Sequence, residues 1–201
     1  MKTILLIITT LLISPAFAQD NSLQSAFEKS YALEKTAHYS EAALAILQVY
    51  SEKSYETNLR LGYLKYMAGA YNEAINYYKK AILIMPYAIE PRLGYVYPAA
   101  ALNKWDDVVE QYTNILKIDP KNSTVNYKLG VIYYNRKSYT KAHVLFEKVV
   151  NLYPFDYDGL LMYAWTNYRI GKTPQAKLLF KKVLLLSPND KSALDGLALI
   201  K

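Results

Sequence analysis

Apolar residues between Ser123 and Asp156 recur at spacings of three and four, in two runs separated by a polar stretch at 135–138. Such spacings place side chains on one face of an α-helix, and a short polar stretch suits a tight turn. The stretch therefore predicts two helices joined by a turn. The two runs consist of Leu129, Gly130 and Tyr133, and of Tyr139, Ala142, Phe146 and Val149.

The same pattern returns every 34 residues. The period is set by four prolines, and each proline is preceded by a small apolar residue at a distance of 12 and by an aromatic residue at a distance of eight. A register kept over several periods indicates a tandem array of helical units. The prolines are Pro86, Pro120, Pro154 and Pro188, the small residues are Ala74, Val108, Ala142 and Ala176, and the aromatic residues are Tyr78, Tyr112, Phe146 and Phe180.

This unit resembles the tetratricopeptide repeat, whose pattern has Leu-Gly on the first helix, small and aromatic residues on the second, and a closing proline. The resemblance extends from about Leu23 to Lys201. It implies an all-α fold, a right-handed α-solenoid of stacked helix–turn–helix units with a C-terminal capping helix. The clearest match consists of Leu61, Gly62, Tyr71, Ala74, Tyr78, Ala81 and Pro86.

The period also predicts the organisation of the chain. We expect one domain, 19–201, with repeats at about 23–54, 55–88, 89–122, 123–156 and 157–190, and a capping helix at 191–201 with Leu194 and Leu197 on its apolar face. In the first and least regular repeat, Asn21 and Ser22 are suited to cap a helix that runs to about Ala37. Each repeat should bury its apolar face against its neighbours.

Repeat 89–122 departs from the pattern. Its Leu93-Gly94 pair comes two residues early relative to Pro120, and Pro98 falls inside the expected first helix. A proline in a helix interior costs about 3 kcal/mol because it removes a hydrogen bond and clashes with the preceding turn. We therefore expect a kink or a shortened helix near Tyr97 and Pro98.

The first 18 residues predict a cleaved signal peptide. A basic Met1-Lys2 start precedes an apolar run too short to span a bilayer, which ends in Ala16-Phe17-Ala18. We therefore expect an exported protein, periplasmic or secreted, that does not span a membrane. The formal charge of +7 is spread over polar helix faces, so no nucleic-acid partner is predicted, and the absence of cysteine excludes disulfides.

The sequence contains no recognisable catalytic constellation. Its two histidines, His38 and His143, lie about 100 residues apart, and its seven glycines do not form a phosphate-binding loop. Asp106 and Asp107 suit the first turn of a helix, where negative charge is favourable. We therefore predict no enzymatic activity, no cofactor and no metal site.

The distinctive feature of the composition is its 21 tyrosines. In the tetratricopeptide repeat family the first helix of each repeat lines a concave face that contacts ligands. Carried onto this chain, that resemblance implies an aromatic groove for a protein or peptide partner, because Tyr and Trp combine a large apolar ring with a polar edge. Its candidate residues are Tyr63, Tyr66, Tyr97, Tyr127, Tyr134, Asn135, Trp165, Tyr168 and Arg169.

Two other interpretations of these rings stay open. They could merely pack across neighbouring first helices, or they could stack on sugars. The sequence thus favours a non-enzymatic exported scaffold or adaptor that binds a protein partner. The alternative is a carbohydrate-binding accessory protein in polysaccharide export or cell-envelope assembly.

Overall fold

The computed structural model describes residues 15–200, with side chains from residue 21 onward, and this part of the chain consists of eleven α-helices without a strand. The apolar run of the predicted signal peptide lies outside these residues. None of the helices described is long and apolar enough to cross a bilayer. The all-α solenoid class implied by the resemblance to the tetratricopeptide repeat is confirmed.

The chain divides into two compact units, Met1–Leu102 and Asn103–Lys201. Unit 1 contains α1 (Pro15–Glu34), α2 (Tyr39–Leu47), α3 (Tyr55–Met67), α4 (Tyr71–Ile84) and α5 (Glu90–Ala101). Unit 2 contains α6 (Trp105–Ile118), α7 (Ser123–Asn135), α8 (Tyr139–Leu152), α9 (Tyr157–Arg169), α10 (Thr173–Leu186) and α11 (Lys191–Ala198). Within each unit, helices adjacent in sequence pack against one another.

Side-chain caps recur at one position of the repeat and fix where the helices begin. The side chains of Ser54, Asn122, Asp156 and Asp190 each accept a hydrogen bond from the backbone N–H three residues later, over 2.7–3.2 Å. These bonds satisfy backbone donors that a helix cannot pair internally. The sequence period is therefore also a period of helix starts.

Helix α5 lacks such a cap and continues past its proline. It has no side-chain cap, since Ile89 precedes it, and its 12 residues compare with 13 in each of α3, α7 and α9. Its last residue, Ala101, occupies the same repeat position as the last residues of those three helices. The Leu102 N–H donates a hydrogen bond to Pro98 O at 3.1 Å. The helix is short, as predicted, but the missing residue is at its uncapped start. The prediction that it would shorten near Tyr97 and Pro98 was wrong about the place.

In three repeats, the aromatic residue of the second helix packs on a glycine of a neighbouring helix. A Cβ added to Gly130 would lie 2.8 Å from the Phe146 ring, and one added to Gly196 would lie 2.4 Å from the Phe180 ring. Both rings are fully buried. The close approach explains why the pattern requires a residue without a side chain at these positions.

The first and last elements differ from their predicted form. Helix α1 begins by Pro15 rather than after a cap at Asn21 and Ser22, and it ends at Glu34. In α11, Leu194 is 47% exposed, so the apolar face predicted for this helix was partly wrong. The inward face contains Ala193 and Gly196, with the Phe180 ring close to Gly196, and the predicted Leu197 packs partly buried against the same core.

Candidate functional site

Unit 1 contains a cavity of about 650 Å³ between the first helices α1, α3 and α5. Three of the predicted groove residues, Tyr63, Tyr66 and Tyr97, line it together. We call it the tyrosine cavity. Its other lining residues, which were not predicted from the sequence, are Phe27, Tyr31, Tyr55, Glu56, Leu59, Arg60, Tyr78, Glu90 and Gly94.

Helical spacing explains how these residues meet. On α3, Tyr55, Leu59 and Tyr63 are each four residues apart, so they lie along one face of the helix. Phe27 and Tyr31 have the same spacing on α1. The same spacing was the signal that could have identified them from the sequence. For Phe27 and Tyr31 the signal is harder to recognise, because the first repeat lacks the Leu-Gly and proline landmarks.

The floor of the tyrosine cavity is the ring of Tyr78 from α4. A Cβ on Gly62 would lie 2.8 Å from this ring, and a Cβ on Gly94 would lie only 2.3 Å from it. Tyr78 is 4% exposed, and its burial raises the pKa of its phenol, so the hydroxyl stays neutral. Gly94 is out of register with the repeat pattern, and its missing side chain leaves room for the Tyr78 ring.

The cation of the cavity, Arg60, is held by partners of its own. Its guanidinium pairs with Glu34 at 2.5 Å, donates to Ser30 Oγ at 3.0 and 3.1 Å, and lies 4.0 Å from the centroid of the Tyr31 ring. Arg60 is only 7% exposed. A buried ion pair of this kind offsets the cost of removing the charge from water. Arg60 therefore shapes the wall rather than offering a free positive charge.

The Arg60–Glu34 ion pair affects two pKa values, that of Glu34 itself and that of the neighbouring Tyr63. Burial, the hydrogen bond with Glu34 and the charge of that carboxylate raise the pKa of Tyr63 to about 12. Burial alone would raise the pKa of Glu34, but hydrogen bonds from Arg60 and Tyr63, together with the Arg60 charge, lower it overall. At neutral pH the carboxylate is charged and the phenol is a hydrogen-bond donor.

The rim of the cavity is acidic and aromatic. The Tyr55 hydroxyl donates to Glu90 at 3.4 Å, and its burial together with the charges of Glu90 and Glu56 raises its pKa. The ring centroids of Tyr66 and Tyr97 lie 5.8 Å apart, and the angle between the ring planes is 35°. The rim thus presents phenol rings and carboxylate oxygens to solvent.

Unit 2 uses its predicted residues differently. Tyr134 packs edge-on against Tyr139 at 5.2 Å, and the guanidinium of Arg169 hydrogen-bonds to Tyr134, which raises the pKa of Arg169. Arg169 also lies 6.0 Å from the centroid of the Tyr139 ring. Asn135, the last residue of α7, is exposed beside this cluster.

Trp165 is committed to the C-terminal helix. Its indole N–H donates to Ser192 Oγ on α11 at 2.8 Å, and its ring meets Phe180 at 5.0 Å. Tyr168 packs edge-on against Trp165 at 5.9 Å. This arrangement matches the interpretation in which the rings pack between helices.

Tyr127 belongs to a third setting. Its ring contacts Phe146 at 5.9 Å, and it lines a cavity of about 310 Å³ with Lys128 and Asp156. Burial raises the pKa of its phenol. Of the nine predicted residues, three share one cavity in unit 1, and the six in unit 2 lie in the separate clusters just described.

Neither histidine is among the residues that line the tyrosine cavity. His143 in α8 is 7% exposed, packs on the Tyr163 ring at 5.0 Å and lies 3.3 Å from Lys172 Nζ. Burial and the Lys172 charge lower its pKa. Within residues 15–200, no group of three or more histidines and carboxylates could hold a metal ion.

The architecture defines a helical-repeat solenoid, the class that includes tetratricopeptide proteins. Models of the tetratricopeptide repeat match residues 55–86, 125–156 and 158–190. The chain belongs to the tetratricopeptide repeat family. This fold is a scaffold that typically mediates protein–protein interaction, and the family is generally non-catalytic.

Similar solved structures support the fold. A tetratricopeptide repeat protein from Parabacteroides merdae superposes with a TM-score of 0.74 at 18% identity, over 90% of this chain and 72% of the other. MamA superposes with a TM-score of 0.70 at 18% identity, over 82% of this chain and 91% of the other. At these identities the likeness concerns the fold alone.

A curated relative is similar over part of the chain. Uncharacterized protein ycf37 of Cyanophora paradoxa is 29% identical over 100 residues, which are 47% of this chain. The match covers 58% of that relative.

Proposed function

We propose that this protein is a non-enzymatic, exported scaffold or adaptor that binds a segment of a partner protein in the tyrosine cavity. The observation that carries the proposal is the cavity itself. It is about 650 Å³ in volume and is walled by first-helix residues, three of which the family resemblance had pointed to. Cavities of this size are typical of binding sites.

The walls suit peptide recognition. Tyr31 and Tyr97 are 51% and 50% exposed, so their rings present apolar area to solvent before any partner binds. Tyrosine gives large contact area at a small entropic cost, because only two side-chain torsions must be fixed. Carboxylates and phenol hydroxyls on the rim can pair with the backbone N–H groups of an extended segment.

Export is the second part of the proposal, and it rests on the pattern of residues 1–18. Periplasmic or secreted protein recovered from the native host should begin at Gln19. N-terminal sequencing of that material is the direct measurement. Recovery of a protein that retains Met1 would refute cleavage.

The binding site is tested with matched variants. The double variant Tyr66→Ala, Tyr97→Ala removes two of the rings that line the cavity. The control Tyr87→Ala, Tyr153→Ala removes two exposed tyrosines that do not line it. Each purified protein is used to capture proteins from an extract of the native envelope. We expect the cavity variant to lose a partner that the wild type and the control both retain.

Equal capture by all three proteins would contradict the proposal, because it would show that the cavity does not bind the partner. Loss of capture together with loss of helical circular dichroism would show that the variant had unfolded. The variant Tyr66→Leu, Tyr97→Leu, which keeps apolar volume in the walls, would then decide the question. The glycan alternative predicts instead that the wild type binds a glycan array and that the cavity variant does not.

A further inference from the structure

We infer that the tyrosine cavity receives a basic side chain, an arginine or a lysine, from the partner segment. This inference rests on the proposed function and deepens it by naming the chemistry of the ligand. Three features of the cavity support it: the charges around it, its exposed ring faces and the state of Arg60.

The charge balance of the cavity is negative. Glu56 and Glu90 line it together with Arg60, and Glu34 pairs with Arg60, so three carboxylates accompany one guanidinium. That guanidinium is already paired with Glu34 and with Ser30.

The two rim carboxylates accept hydrogen bonds from neutral groups. Glu56 and Glu90 are exposed, and they accept hydrogen bonds from the hydroxyls of Ser54 and Tyr55, respectively. A hydroxyl donor carries no net charge, so neither of these bonds neutralises a carboxylate. The rim therefore attracts a cation.

The ring faces favour the same ligand. A guanidinium or ammonium group over the face of a tyrosine gains electrostatic energy from the ring quadrupole. Arg60 already makes this interaction with Tyr31, at 4.0 Å. On the solvent side, Tyr66 and Tyr97 form a tilted pair with carboxylates on the same rim. Rings with nearby carboxylates are the surroundings that a desolvated cation requires.

An acidic ligand fits the cavity poorly. To bind it, Arg60 would have to release Glu34, and the released carboxylate would stay partly buried without its partner. Removing one member of a buried pair is strongly unfavourable. The net charge of +7 would by itself favour acidic partners, so the local charge of this cavity opposes the charge of the whole chain.

A random octapeptide display library, selected on the purified protein, tests the inference. We expect wild type to enrich peptides with arginine or lysine at one recurrent position. The double variant Glu56→Gln, Glu90→Gln keeps the shape of the rim and removes two charges, so it should lose that basic preference while retaining any apolar preference. The control is Glu41→Gln, an exposed glutamate on α2 that does not line the cavity.

A synthetic peptide from the selection then gives the affinity by calorimetry. We expect binding at least tenfold weaker when its basic residue is replaced by glutamine, and weakening as salt rises, because exposed charges are screened. Enrichment of acidic or uncharged peptides, or a basic preference that survives in Glu56→Gln, Glu90→Gln, would overturn the inference alone. Absence of any peptide that depends on Tyr66 and Tyr97 would overturn the proposed function as well.

Discussion

The two units contain the same pair of tyrosines and use it in opposite ways. Tyr66 and Tyr71 in unit 1 stand 68 residues before Tyr134 and Tyr139 in unit 2, and the ring centroids of each pair are 5.9 and 5.2 Å apart. In unit 1 the pair is extended by another ring, Tyr97, on the wall of an open cavity. In unit 2 it is closed by a hydrogen bond from a charged side chain, that of Arg169.

A second position shows the same contrast. Arg60 in unit 1 corresponds to Lys128 in unit 2, again 68 residues apart. Arg60 holds Glu34 and Ser30 of the preceding first helix, and the cavity beside it measures about 650 Å³. Lys128 lines a cavity of about 310 Å³. The same repeat position therefore lines a larger cavity in unit 1 and a smaller one in unit 2.

The largest expected effect comes from breaking this contrast at Arg60. Arg60→Ala leaves Glu34 partly buried without its cation and empties the space next to Tyr31. Breaking a fully buried pair costs about 3–5 kcal/mol, and Glu34 is 25% exposed, so we expect a loss of about 2–4 kcal/mol. Chemical denaturation gives the free energy, and hydrogen exchange should show the loss of protection in α1 and α3.

Lys128→Ala is the matched variant at the corresponding position. We expect it to cost less than about 1 kcal/mol, because the polar interactions of a partly exposed lysine contribute little to stability. Equal losses for the two variants would mean that the contrast between the units has no energetic basis.

Gly94→Ala sharpens the comparison, because two effects of opposite sign compete there. Alanine improves helix propensity by about 1 kcal/mol, whereas its Cβ would lie 2.3 Å from the buried Tyr78 ring. Overpacking of this kind costs about 1–3 kcal/mol. We expect net destabilisation by about 1 kcal/mol in chemical denaturation, and weaker peptide binding as the cavity floor moves.

Introducing Gly94→Ala into a protein that already carries Tyr78→Leu tests whether the Tyr78 ring causes the destabilisation. Without the ring, Gly94→Ala should become neutral or stabilising, since only helix propensity remains. Destabilisation of similar size in both backgrounds would show that Tyr78 is not the reason for the glycine.

Much of the fold was predictable because the repeat pattern is local. Repeats 55–88 and 123–156 each contain two helices joined by a short turn, α3 with α4 and α7 with α8. The start of α5 was not predictable in this way, since it depends on the absence of a cap at Ile89. The early Gly94 looked irregular in sequence and was explained only by the Tyr78 ring that packs on it.

The candidate site was predictable only in part. Family positions identified Tyr63, Tyr66 and Tyr97, which do line one cavity. The same positions in unit 2 gave Trp165, whose indole N–H is used by Ser192. Whether a ring is exposed or packed depends on the helix that lies beside it in the fold. The sequence of one repeat does not contain that information. The role of Arg60 was missed because its partners lie about 30 residues earlier, in the least regular repeat.

The smallest expected effect is a pH dependence of stability that His143 contributes to unit 2. His143 in α8 corresponds to Ile75 in α4, so unit 2 has an ionisable group where unit 1 has an aliphatic one. Burial and the Lys172 charge lower the pKa of His143, against the opposing effects of Glu147 and Asn167. The unfolded chain, with an ordinary histidine pKa near 6.5, then binds the proton more readily than the folded protein does.

The His143 contribution to stability is therefore fully present above the unfolded pKa and is lost as pH falls toward the lower folded pKa. We expect the difference in unfolding free energy between pH 7.5 and pH 5 to be smaller in His143→Ile than in wild type. Ile75→Val, at the corresponding position of α4, changes no ionisable group, so it serves as the control and should leave that difference unchanged. Identical pH dependence in wild type and His143→Ile would mean that the ring titrates as it does in water, so that burial among Tyr163 and Lys172 does not affect its charge.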